Sequence, residues 1–207
     1  MNKPKFIIAI AGNIGAGKST LTKHLSEKWH FQSVLEPEAK NPFLKDFYKD
    51  SKKWAFHSQL FFLTERAKMQ KIAEENAQYL LLDRTIYEDS EVFARIVLSS
   101  KEYEIYKRAY DLIVETLTPP NLVVYLKTSV PTLMERIKER GRVYEKNIHR
   151  SYIKKLNEQY DRWMSEFKIA PVIQIDTDKY ELFSLFGDMD DVRKEIETFF
   201  WCGQSKK

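Results

Sequence analysis

A single cysteine, Cys202, stands among 207 residues. No internal disulfide can form, and the chain reads as a cytoplasmic protein of a reducing compartment. Long apolar runs are missing too: no stretch approaches the about 20 residues that a membrane-spanning helix needs. The N-terminal MNKPK leads straight into an apolar segment with no small-residue cleavage site after it, so no secretory leader is expected. Neither sign of charge dominates. Lys and Arg number 34 against 30 Asp and Glu, a formal excess of +4. A nucleic-acid polymer would call for a stronger, more clustered basic stripe, whereas a mild excess suits a site for anionic phosphates. Glycine and proline are sparse, at six and seven, and no repeat or linker breaks the chain. The 43% hydrophobic content suits one domain with a full-sized core over residues 1–207.

The stretch FIIAIAGNIGAGKST, residues 6–20, organises the rest. An apolar strand runs into Gly12, Asn13, Ile14, Gly15, Ala16, Gly17, Lys18, Ser19 and Thr20, the order G-x-x-x-x-G-K-S of a phosphate-binding P-loop. The glycines let backbone N–H groups turn inward around phosphate oxygens. Lys18 brings a point charge to the outer phosphates, and Ser19 offers a hydroxyl to Mg²⁺. A helix from Lys18 to Lys28 points its positive end at the same anion. ATP with Mg²⁺ is therefore the expected cofactor pair.

Apolar strands then alternate with helical periodicity. Further strands are expected at Phe31–Leu35, Tyr79–Leu82, Leu122–Leu126 and Pro171–Ile175. A long helix is expected over Lys53–Ala77, with Trp54, Leu60, Phe61 and Leu63 as its apolar surface. Other helices are predicted at Ile86–Leu98, Glu102–Leu117, Pro131–Arg140, Ile148–Phe167 and Asp190–Phe200, with helical turns near Phe47 and Tyr48. Strands separated by helices imply an α/β fold with a five-stranded parallel sheet wrapped on both faces. Ligands of such sheets sit beyond the carboxyl ends of the strands, so polar residues there should converge.

They do so strand by strand. Glu36 follows the second strand, in a Glu-Pro turn where a carboxylate can accept a proton from an attacking hydroxyl. Asp83 closes the run Leu80-Leu81-Leu82-Asp83, either orienting Mg²⁺ or capping the next helix, a job Thr85 can also do. Arg84 comes next. Arg136, Arg140 and Arg142 lie at spacings of four and two, the last beyond Gly141. They form either a solvated helix face with Glu135 and Glu139 or a mobile lid over about 136–147 that clamps a transferring phosphoryl group.

Five ordered blocks, GNIGAGKST, LEPE, WAFHSQLFFLTER, DRTIYEDSEVF and ERIKERGRVYE, resemble the deoxyribonucleoside kinases of the deoxycytidine, deoxyguanosine and bacterial deoxyadenosine kinase group. The resemblance implies transfer of the γ-phosphoryl of ATP to the 5′-hydroxyl of a deoxyribonucleoside. It would make Glu36 the general base and Arg84 the residue that holds that base and the reacting oxygens. Gln59 would pair with the base edge, Arg66 and Asp89 would flank it, and Phe93 would stack on it. Tyr48 and Glu145 would hold the sugar 3′-hydroxyl, with Trp54 lining the pocket. Asp83 stands where that group usually has Glu, and Thr85 where it has Ser, which leaves room for a water-mediated Mg²⁺ contact. Phe62 and Ser58 also depart from the pattern beside the base pocket.

An ionised Asp89 favours an exocyclic amine and Arg66 can donate to guanine, so purines and deoxycytidine are allowed and thymidine is disfavoured. The resemblance to bacterial relatives with the step Tyr87-Glu88-Asp89 implies deoxyadenosine first, then deoxyguanosine and deoxycytidine. The resemblance also implies a homodimer, for which Val92, Ile96, Tyr103, Ile105, Tyr106 and Tyr110 are candidates. Two other readings stand beside it. A nucleoside monophosphate kinase of thymidylate-kinase type needs cations in the acceptor pocket, where this chain places Glu36, Asp89 and Glu145. A non-catalytic nucleotide-binding subunit would have no use for Lys18, Glu36, Arg84 and the three further arginines.

Overall fold

The computed structural model describes residues 6–35, 38–180 and 188–204. Within these, five strands form one sheet: β1 (Phe6–Gly12), β2 (Gln32–Val34), β3 (Tyr79–Asp83), β4 (Leu122–Lys127) and β5 (Val172–Asp176). All neighbours pair in parallel, in the order β2-β3-β1-β4-β5. The inner strands read FIIAIAG, YLLLD and LVVYLK because a parallel sheet is covered on both faces. The edge strand β5 instead alternates buried Ile173 and Ile175 with exposed Gln174. β2 is shorter than the expected Phe31–Leu35.

Helices α1 (Lys18–Trp29), α2 (Leu44–Lys49) and α3 (Ser51–Asn76) follow the first two strands. Asp50 caps α3 by accepting from the Lys53 N–H, so that helix starts before the expected Lys53. The register of β1 sets Ile10 opposite Asp83, and the N–H of Arg84 bonds the carbonyl of Ile10 at 3.0 Å. That pairing brings the end of β3 to the start of the P-loop.

The expected helix Ile86–Leu98 is three pieces: α4 (Ile86–Glu88), a π-type stretch over Asp89–Ala94, and α5 (Arg95–Val97). Wider turns of this kind occur mostly at functional sites. Here the stretch lets Asp89 and Phe93 line one pocket. Next come α6 (Ser100–Val114), opened by a Ser99/Glu102 capping box, α7 (Val130–Arg140), α8 (Arg150–Glu166) and α9 (Asp188–Gln204). Among the described residues no helix is long and apolar enough to cross a membrane.

Two apolar clusters result, one around the sheet and one among α2, α3, the 86–98 segment and α6. Tyr48, Tyr87 and Tyr152 pack against both. The buried side of α3 departs from expectation. Trp54, Leu60 and Phe61 are only half-buried, and the helix buries Ser58, Gln59, Arg66, Gln70 and Glu74 with Phe62 and Leu63. A polar stripe of this size inside a protein must be satisfied by partners or serve a ligand. On the far surface, Val92, Tyr106 and Tyr110 are core residues of this chain and cannot form an outer face, whereas Ile105 and Leu112 are exposed.

Candidate active site

The P-loop leaves β1 at Gly12 and enters α1 at Lys18. At Gly15, φ is +88°, and an added Cβ would lie 3.0 Å from both the Ile137 side chain and the Leu133 carbonyl. Only glycine fits there without strain. Asn13 braces the loop: its Oδ1 accepts from the Ile14 N–H at 2.8 Å, and its Nδ2 donates to the Ile153 carbonyl and to Asn157 Oδ1, each at 3.0 Å. Lys18 is buried and donates to the Asn13 carbonyl at 3.0 Å. Ala16, Ser19 and Thr20 complete the turn into α1. A cleft over this loop is lined by Lys18, Ser19, Thr20, Lys23 and the guanidinium-bearing Arg136, Arg140 and Arg142.

Ser19 Oγ donates to Asp83 Oδ2 at 2.5 Å. The other carboxylate oxygen, Asp83 Oδ1, is buried with no hydrogen-bond partner among the described residues. A buried orphan oxygen beside a P-loop serine is the donor set that a hard divalent cation takes together with phosphate oxygens and water. Asp83 does not cap α4. Thr85 does, accepting from the Glu88 N–H at 3.3 Å.

Arg84 has φ +82°, a left-handed backbone that side-chain-bearing residues adopt at a cost of about 1–3 kcal/mol. Its amide bond to Ile10 and its guanidinium, 4.1 Å over the Phe93 ring, hold it there. The strain turns the cation from the strand end toward the pocket.

That pocket is lined by Ile14, Glu38, Tyr48, Gln59, Phe62, Arg84, Asp89, Phe93, Tyr144, Glu145 and Tyr152, among others. On its floor Arg66 meets Asp89 through two bonds, Nε to Oδ2 at 2.7 Å and a terminal NH₂ to Oδ1 at 3.2 Å, both residues being buried. Gln59 is buried against the pocket, and its amide has no hydrogen-bond partner among the described residues. Tyr48 stacks on Tyr144 at 6.4 Å beside Glu145. Burial pushes the Tyr152 hydroxyl well above its ordinary value, so it stays neutral and able to donate. Trp54 stands apart: it stacks on Phe43 at 5.9 Å and does not line the pocket.

The arginine segment joins pocket and cleft. Arg140 donates to both oxygens of Glu145, at 3.1 and 2.5 Å. Arg142 pairs with Glu38, and the Tyr144 hydroxyl reaches Glu38 at 3.2 Å. Arg136 points elsewhere, donating to the Thr177 hydroxyl, the Thr177 carbonyl and the Tyr180 carbonyl at 3.0–3.1 Å. Burial lowers its pKa from the ordinary arginine value. Glu36 lies outside the described residues.

Sequence reasoning missed Glu88, Glu38, Tyr144 and Tyr152. Glu88 is the most consequential. It is wholly buried; its Oε1 accepts from the Thr85 N–H at 2.7 Å and its Oε2 from the Tyr160 hydroxyl at 2.6 Å and the Gly12 N–H at 3.4 Å. Burial raises its pKa, while Arg84 and Lys18 oppose that shift. The T-x-x-E spacing of Thr85 and Glu88 carries the sequence signal of a capping box.

A parallel sheet with this loop, its lysine and a strand-end carboxylate is the fold of a P-loop kinase. The family model for deoxynucleoside kinases matches residues 8–200. A deoxyadenosine/deoxycytidine kinase of Bacillus subtilis is 34% identical over 207 residues, covering 97% of this chain and 95% of that protein. A deoxyguanosine kinase of the same organism is 35% identical, covering 95% and 98%. The structure of deoxyadenosine kinase from M. mycoides with bound dCTP superposes with a TM-score of 0.79 at 29% identity, covering 93% of this chain and all of that one. The chain belongs to the deoxynucleoside kinase family and is an ATP-dependent phosphotransferase.

Proposed function

We propose that the acceptor is the 5′-hydroxyl of a deoxyribonucleoside, deoxyadenosine first, with deoxyguanosine or deoxycytidine after it. The observation that carries this reading is the buried Gln59 amide, without a hydrogen-bond partner among the described residues, lining the pocket beside the Arg66–Asp89 pair. An amide offers one donor and one acceptor, which suits the edge of an aminated base. Asp89 keeps further lone pairs for an exocyclic amine, and thymine would present a carbonyl there. The two Bacillus relatives, a deoxyadenosine/deoxycytidine kinase and a deoxyguanosine kinase, support that range.

Tyr48 and Glu145 hold the 3′-hydroxyl in this reading, and the tyrosine wall leaves no room for a 2′-hydroxyl. Glu36 takes the proton of the attacking 5′-hydroxyl. Lys18, Arg84, Arg140 and Arg142 stabilise charge on the moving phosphoryl group, and positioning carries most of the rate. Ser19 and Asp83 would hold Mg²⁺, which would supply positive charge against the ATP phosphates. Arg136 acts by holding the 177–180 turn against α7, and the segment 136–147 is the lid of a single domain. The enzyme works in the cytoplasm as a homodimer, with the exposed Ile105 and Leu112 of α6 on the dimer face. It takes no nucleic-acid polymer or membrane as partner.

A monophosphate acceptor is disfavoured because Glu38, Asp89 and Glu145 line the pocket. The test is a competition assay with Mg-ATP and equimolar deoxyadenosine, deoxyguanosine, deoxycytidine and thymidine, with deoxyadenosine monophosphate offered in a separate reaction and products resolved by mass. Deoxyadenosine monophosphate as the leading product is expected. A lead by thymidine, or a diphosphate alone, overturns the assignment of the pocket.

A further inference from the structure

We infer that Glu88 is a positioning residue for phosphoryl transfer, the carboxylate that fixes the P-loop and the acceptor-side helix in one frame. Its three donors come from three elements: Gly12 at the first turn of the P-loop, Thr85 immediately after Arg84, and Tyr160 on α8. The next residue, Asp89, is locked to Arg66 on the pocket floor. Glu88 thus ties the phosphate loop to the segment whose next residue, Asp89, carries the pair with Arg66. On the far side of the loop, Asn13 bonds the carbonyl of Ile153 on the same α8.

The residue type matters. A capping box is served as well by glutamine as by glutamate. Burying a carboxylate carries a desolvation cost that glutamine avoids, so the cap alone does not account for an acid here. What the carboxylate adds is acceptor capacity at both oxygens, matched to three donors. In glutamine one of those atoms becomes a donor. The Tyr160 hydroxyl can rotate to accept from it. The Gly12 N–H cannot, and it would face another donor at the entrance of the loop. The nearest cations, Lys18 and Arg84, favour the ionised form and are the two groups that meet the transferred phosphoryl in the kinase mechanism.

The inference rests on the P-loop and Arg84 serving that transfer, and the two readings fail separately. Wild-type protein that phosphorylates no deoxynucleoside ends the kinase mechanism whatever Glu88 does. Given an active wild type, E88Q is assayed with ATP and deoxyadenosine each varied, alongside a thermal melt and calorimetric binding of deoxyadenosine without ATP. We expect kcat to fall about tenfold to a hundredfold and KM for ATP to rise, with the deoxyadenosine Kd and the melting temperature held. A folded E88Q with kcat within about twofold of wild type overturns the inference. So does a loss of kcat matched by an equal loss of deoxyadenosine binding, which marks a merely structural role. If E88Q does not fold, Y160F decides. It keeps the Gly12 and Thr85 bonds and should lower kcat about threefold at unchanged deoxyadenosine Kd, and an unchanged kcat overturns the inference.

Discussion

The phosphate loop and the arginine segment 136–147 line the same cleft, yet they are held in different ways. The loop is fixed by backbone: positive φ at Gly12, Gly15 and Gly17, an asparagine brace, and a buried lysine on the Asn13 carbonyl. The arginine segment is fixed by charge. Arg140 and Arg142, with side chains 27% and 31% exposed, rest on Glu145 and Glu38 of the acceptor side. The loop is therefore preorganised as it stands, whereas in the proposed mechanism the arginines would exchange carboxylate partners for phosphate oxygens. Preorganised donors cost nothing at the moment of reaction.

The strongest break falls on the buried charge pair of the acceptor side. Arg66→Met leaves Asp89 charged and alone, and unfolding by denaturant should show a loss of about 3–5 kcal/mol, largely recovered in Arg66→Met with Asp89→Leu. Equal losses in the single and double variants would remove the pair from the stability of the pocket. On the loop side, Lys18→Ala should lower kcat about a hundredfold to a thousandfold with the fold retained by circular dichroism. Glu36→Gln should leave ATP binding nearly intact and lower turnover by about a hundredfold; near-normal turnover would dismiss Glu36 as the base.

A pH series distinguishes Glu88 from an ordinary surface acid. Its pKa is raised by burial, against the pull of Arg84 and Lys18 and the bonds from Thr85 and Tyr160. The native state then binds the proton more tightly than the unfolded chain. Wild type should lose stability relative to E88Q as pH rises from the ordinary value of 4.5 until Glu88 is ionised, with the difference flat above that. Stability of the two that runs parallel across the series would show no such shift. The smallest effect belongs to the half-buried ion pair of Arg142 and Glu38. Glu38→Gln should change stability by less than about 1 kcal/mol and, by releasing Arg142, tighten ATP binding up to about fivefold in calorimetry. Weaker ATP binding in that variant would mean that Glu38 orients the arginine for phosphate rather than withholding it.

Local features were legible from residues alone. The glycine spacing at 12–17, the apolar strands and the acid at the end of β3 are short-range patterns set by backbone sterics and strand burial. The structure reproduces the five strands and the parallel pairing with ends moved by a residue or two. The π-type stretch at Asp89–Ala94 was not legible, because Ile86–Leu98 carries an ordinary helical pattern and the widening answers to what packs around it. The face of α3 was misjudged for a related reason. Its largest apolar residues include Trp54 and Phe61, yet the helix turns Gln59 and Arg66 inward, and only the pocket on the other side gives those polar groups a reason to be buried.

By itself, the sequence determined the phosphate loop, the alternation of strand and helix, and the charged groups available to a kinase, since each depends on neighbours within a few residues. The tertiary structure alone decided the strand order, the strained turn that aims Arg84, and the pairing of Arg142 with Glu38 across 104 positions. It also decided that the cap glutamate, Glu88, would reach Gly12 and Tyr160, 76 and 72 positions away. Contacts at such separations are selected by packing and by the need to satisfy buried polar atoms. No local pattern records them.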